Sequence, residues 1–159
     1  MTVTTDLLAT WHAPRVVLRR HLARDASEPF AFAFLLIFLT LAFVSQWPLA
    51  AREAYLANEA SATPRILARA FAVLATIPLW YGLAALSRLV ARVFGGKGSW
   101  YAARVALFWA LAAVGPLMLL QGLVRGFLGA GPALAAIGVV VLIAFLLIWA
   151  NTLIEAERA

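Results

Sequence analysis

The residues able to do chemistry are few in this chain, and their spacing fits no common reaction. His12 and His21 stand nine positions apart with no third ligand near them, short of the donor set that a metal centre requires. Gly95-Gly96-Lys97-Gly98-Ser99 gathers the residue types of a phosphate-binding loop. It lacks the G-x-x-x-x-G-K-[ST] spacing, however, and no strand precedes it. Cysteine is absent, which removes disulfides and thiolate metal sites. The long apolar stretches contain no Asp, Glu or His. Proton-coupled transport relies on such buried titratable groups, and intramembrane hydrolysis needs a base or paired acids. The embedded polar residues, Thr40, Ser45, Gln46, Thr76, Ser87, Gln121 and Asn151, suit interhelical hydrogen bonding instead. These patterns predict a protein that is not an enzyme and uses neither cofactor nor metal.

The elements that position these residues are four apolar stretches, at about 30–50, 66–87, 105–128 and 133–152. Each matches the roughly 20 helical residues that a bilayer core demands. Hydrophobic residues make up 65% of the 159, and the mean hydropathy is +0.93, beyond what a soluble domain can cover with polar surface. The expected fold class is an all-α integral membrane protein: a bundle of four transmembrane helices preceded by an N-terminal amphipathic interfacial helix. Residues 1–29 form the cytoplasmic amphipathic segment, 30–155 the four-span membrane domain and 156–159 a polar tail, with Glu155, Glu157 and Arg158 at that end.

The segment 4–24 reads as a surface helix interrupted once and restarted at Pro14, a residue suited to a first helical turn. Leu7, Trp11, Leu18 and Leu22 fall on one stripe, bordered by Arg15, Arg19, Arg20 and Arg24. An apolar stripe with a basic border fits a helix lying at an anionic leaflet; the alternative is a helix packed on another protein or on the chain's own loops. Arg88, Arg92 and Lys97 flank a second basic stretch, a tight turn made by three glycines. Trp11 and Trp100 suit the headgroup level. Nine basic residues (the seven above with Arg104 and Arg158) fall on one side of the spans and four (Arg52, Arg65, Arg69 and Arg125) on the other. The positive-inside rule therefore places both termini and the glycine turn in the cytoplasm. Because the charges flank spans, the net charge of +6 predicts contact with anionic membrane lipids and not with nucleic acid.

Prolines punctuate the spans. Pro29 starts the first and Pro48 is expected to end or kink it. Pro78 and Pro116 lie mid-span in the second and third, where they kink a helix and free carbonyls. With Thr76 and Gln121 they could line a cavity, though such kinks more often shape packing alone. Gly122 and Gly126 form a small-xxx-small pair that lets a helix approach closely.

Several stretches look familiar together: Pro14-Arg15 through Ser27-Glu28, Gln46-Trp47-Pro48, Gly95 through Trp100, and Arg104 through Pro116 with Trp109 between. On these the chain resembles the Yip (Ypt-interacting protein) family over about 10–155, in particular its small bacterial members. Arg in place of Lys and abundant Ala agree with a GC-rich bacterial genome. The resemblance implies a non-enzymatic polytopic protein of the bacterial inner membrane that binds partner proteins or organises lipid through its basic cytoplasmic face. Eukaryotic relatives interact with Rab GTPases. This chain has four spans instead of five and lacks their long acidic-aromatic N-terminal region, so no GTPase partner is carried over. Two rival expectations stand beside it. One is a small-solute permease or channel subunit lined by the kinked second and third spans; the other is an accessory subunit, or a homo-oligomer, packing through Gly122, Gly126 and the Phe30, Phe34, Phe38 column.

Overall fold

The computed structural model describes residues 3–158, and four of its helical runs are long and apolar enough to cross a membrane. Residues 1–2 of the expected preface and 159 of the expected tail lie outside the described residues. Two short helices, α1 (Val3–Thr10) and α2 (Pro14–Leu22), precede α3 (Glu28–Leu56). The second span is α4 (Thr63–Ala75) followed by α5 (Ile77–Val93); α6 (Trp100–Phe127) and α7 (Pro132–Ala156) complete the chain. It is an all-α membrane bundle, with no strand among the described residues.

Proline marks the starts: Pro14, Pro29, Pro64, Pro78 and Pro132 each occupy a first-turn position, where the missing N–H would have no partner anyway. α6 instead begins at a Ser99 cap whose side chain accepts from the Ala102 amide at 3.0 Å.

Pro48 does not end the first span. The helix runs two further turns to Leu56, because that extension is held against the end of α6: Arg52 donates to the Gly126 and Phe127 carbonyls at 3.1 Å each, and Ala50 and Ala54 are buried. At Pro78 the second span does break, at Thr76. Pro116, by contrast, lies inside an α6 that continues to Phe127.

The middle of the bundle is α6. Every residue from Val105 to Gly115 is buried, and alanines recur along this stretch, so neighbouring backbones close in. Its main partner is α3, which runs parallel to it in the register Leu41–Gly115, Ser45–Gly122 and Pro48–Gly126. A Cβ added at Gly122 or Gly126 would collide with the backbone of Ser45 or with Pro48. The α4–α5 span and α7 lie outside this pair and expose most of their apolar surface.

The preface differs most from expectation. It does not lie flat as a surface helix but stands against α6 and α7. Arg15 reaches Asn151, and four residues on in both helices Arg19 reaches Glu155, so α2 runs alongside the last turns of α7 in the same direction. The turn between α1 and α2 faces α7 from Ala144 to Asn151, and Ala144 is the midpoint of that helix. Val17 and Leu18 are fully buried. The physical reason is that α6 and α7 leave an apolar groove, and Leu7, Val17 and Leu18 are removed from water by filling it.

Candidate functional site: the charged end of the bundle

Five helices meet where the preface docks, and their ends bring basic and acidic side chains together. Thr10 anchors α1: its hydroxyl donates to the Asp6 carbonyl at 2.7 Å and accepts from the Trp109 indole N–H at 2.9 Å. That bond lies five residues beyond Arg104 along α6, about 7.5 Å at 1.5 Å per residue. The Asp6 carboxylate, 5% exposed, accepts from Arg20 at 3.1 Å.

His21 sits beside this pair, in contact with Phe30, Phe34 and Trp109 at centroid distances of 5.9, 5.0 and 4.5 Å. Neither ring nitrogen has a hydrogen-bond partner, and Nε2 is 4.0 Å from Asp6. Burial lowers its pKa from 6.5 to about 4, aided by Arg24 and Arg20, with the Asp6 carboxylate opposing. It is a neutral core imidazole near pH 7, with neither the ligand set of a metal site nor the partner of a general base.

The glycine turn closes on the end of α7. The Glu157 carboxylate accepts from Arg88 at 3.0 Å and from the Gly98 amide at 3.1 Å, while the Lys97 amide donates to the Glu157 carbonyl at 3.2 Å. A Cβ on Gly98 would strike Ala156, so glycine is required there for close approach. Gly95 turns the chain at φ +85°. Arg104 pairs with Glu28 across the starts of α6 and α3.

The structure thus divides the expected basic face in two. Arg15, Arg19, Arg20 and Arg88 are engaged within the chain, by Asn151, Glu155, Asp6 and Glu157 respectively. Arg24 lies over the Phe30 ring at 5.1 Å. Arg92 and Lys97 are exposed and make no ion pair or side-chain hydrogen bond among the described residues. Trp11 and Trp100 are about half exposed, at 43% and 47%.

The residues expected to line a path between the kinked spans are not brought together. Pro78 and Pro116 are exposed on the outside of the bundle. The Thr76 hydroxyl donates to the Val73 carbonyl at 2.6 Å and accepts from Trp80 at 2.9 Å, so the break supplies its own partners. Tyr81 meets Phe108 edge to face at a centroid distance of 5.1 Å, which sets α5 against the first half of α6. Gln121 lies thirteen residues further along, about 20 Å away. There it lines a cavity of about 80 Å³ with Ser45, Gln46 and Arg125. Gly122 and Gly126 serve the α3–α6 seam within one chain. At the far end of the bundle Arg65 pairs with Glu59 and Glu53, and Arg69 with Glu53 and Gln46. The Arg65 hydrogen bond lowers the Glu59 pKa.

Sequence reasoning missed Asp6, Asn151, Glu155 and Glu157 as partners. One signal was there: Arg15 and Arg19 share their i,i+4 spacing with Asn151 and Glu155, as two helices side by side require. Compared with family models, curated proteins and solved structures, the chain matches none.

Proposed function

We propose that this chain is a non-enzymatic multi-pass protein of the bacterial cytoplasmic membrane, of the Yip-like kind, with both termini cytoplasmic. It engages the anionic membrane surface through the basic end of its bundle. One observation carries the reading: after internal pairing, Arg92 and Lys97 remain exposed and without ion pairs among the described residues, next to and within the glycine turn that leads to the half-exposed Trp100. Cations flanked by an interfacial Trp suit anionic headgroups, each worth roughly 1 kcal/mol near the surface. The paired arginines serve a different purpose, holding the preface and the glycine turn to α7 so that this end is presented as one rigid face.

Native mass spectrometry of the protein, extracted from its own membrane in gentle detergent, tests this. The expected result is retained anionic lipid whose amount is reduced, but not abolished, in R92Q/K97Q. A stoichiometric protein partner whose binding survives that double substitution would replace the lipid reading with the accessory-subunit one. A bare homo-oligomer holding a small solute would overturn both in favour of the permease.

A further inference from the structure

Between the α1–α2 turn and α7 lies a cleft of about 350 Å³, lined by Thr10, Trp11, His12 and Pro14 on one wall and Ala144, Leu147, Ile148 and Asn151 on the other. Its size falls within the range of ligand pockets, roughly 300–1,000 Å³. Its chemistry changes along its length. From Ala144 to Ile148 the wall is apolar, and the α7 surface beside it, with Ile143 51% and Leu147 61% exposed, is suited to acyl chains. At the Asn151 end stands Arg15. The Asn151 amide is fixed by donating to the Leu147 carbonyl at 2.8 Å, and its oxygen accepts from Arg15 Nε at 3.0 Å. The Arg15 charge is therefore held in place by a neutral group. Its two terminal nitrogens have no partner, and no carboxylate pairs with it among the described residues.

We propose that this cleft is a binding site for one anionic glycerophospholipid of the surrounding bilayer. The Arg15 terminal N–H groups donate to the phosphate, a geometry that guanidinium matches with two parallel bonds. One acyl chain lies along Ala144, Leu147 and Ile148, with Trp11 on the opposite wall of the cleft. A soluble anion would have no use for the apolar wall, and a zwitterionic lipid would bring its own ammonium beside the phosphate and so weaken the attraction to Arg15. The site is separate from Arg92 and Lys97, and it rests on the lipid half of the proposed function.

The test uses the full chain in phosphatidylcholine nanodiscs doped with phosphatidylglycerol carrying a photoreactive diazirine on one acyl chain. Crosslinks are mapped by peptide mass spectrometry. The label is expected within 144–151, reduced about tenfold in R15Q through loss of a charged hydrogen bond, and unchanged in R92Q/K97Q. Ala144→Phe fills the apolar wall without touching the charge and is expected to remove the label in a protein that still inserts. Unchanged labelling in R15Q, or equal labelling by the phosphatidylcholine analogue, would overturn the site and reduce it to ordinary bilayer contact. Displacement of the label by inorganic phosphate would overturn it in favour of a soluble anion. If R92Q/K97Q alone abolishes anionic-lipid retention, the general reading stands while this site falls.

Discussion

Gly122→Ala tests the seam on which the bundle depends. The added Cβ would stand 2.8 Å from the Ser45 carbonyl carbon and from its Cα, against an optimum of about 3.5–4.0 Å between carbons. Both opposing atoms are backbone, so no side chain can rotate away, and α3 must retreat from α6 by about 1 Å. A gap of that size forfeits a quarter to a half of the dispersion well for atoms along the contact. Overpacked cores typically lose about 1–3 kcal/mol, and the rigid opposition here places the expected loss at the upper end, about 2–3 kcal/mol. At roughly 2–4 °C per kcal/mol for a chain of this size, the Tm should fall by about 4–12 °C. Thermal unfolding in detergent, followed by intrinsic tryptophan fluorescence, reads this directly. Gly82→Ala is the control: nothing lies within 4 Å of its added Cβ, and a mid-helix Gly-to-Ala change is expected to stabilise by about 0.5–1 kcal/mol. If Gly122→Ala melts with the wild type, or if the two substitutions shift the Tm equally, the close α3–α6 approach is refuted.

Two further outcomes are expected. His21 is neutral in the fold down to about pH 4 but titrates near 6.5 once unfolded, so the unfolded state binds more protons in between; stability is therefore lost as pH falls from 6.5 towards 4, by up to about 3 kcal/mol at 1.36 kcal/mol per unit. The difference in Tm between pH 7 and pH 4.5 should accordingly shrink in His21→Leu, and an identical pH profile in that variant would sink the assignment. Glu157→Gln removes the charge that Arg88 and the Gly98 amide share, at side-chain exposures of 12% and 11% for the ion pair. A loss of about 2 kcal/mol, below the 3–5 of a fully buried pair, should appear together with faster trypsin cleavage after Lys97, and unaltered cleavage would show that the turn is held by other means.

The spans were legible because each is a predominantly apolar run whose length matches a bilayer. Some starts were legible because proline acts locally, as at Pro14 and Pro29, whereas the Ser99 cap that begins α6 five residues before the expected span was not read. What depended on distant partners was not. Pro48 carries a local stop signal that the Arg52 bonds to the end of α6 override, and nothing near Pro48 announces them. The preface stripe of Leu7, Trp11, Leu18 and Leu22 took the right period with the wrong centre: Val17, Leu18 and His21 are buried and Trp11 stays half exposed. A helix docked upright in a groove buries a different arc from one lying flat on lipid. The tail shows the same limit. Glu155 and Glu157 end an apolar helix as any solvated pair would, and only the return of α2 and the glycine turn gives them cations. His21 reads as polar in sequence, yet its neighbours from α3 and α6 make it part of the core.

The pairing of α2 with α7 also sets an order of events for the growing chain. Arg15 and Asn151 are 136 residues apart, so at roughly 5–20 residues per second the first helices wait about 7–27 s for the groove they will occupy. During that interval three membrane spans are made in turn while Val17, Leu18 and the arginines beside them have no berth. The segment made first is thus the last to settle, and its arrival stitches the beginning of the chain to its final span. A chain stalled before α7 keeps its basic, apolar preface on display, a ready signal by which quality control could tell an unfinished molecule from a finished one.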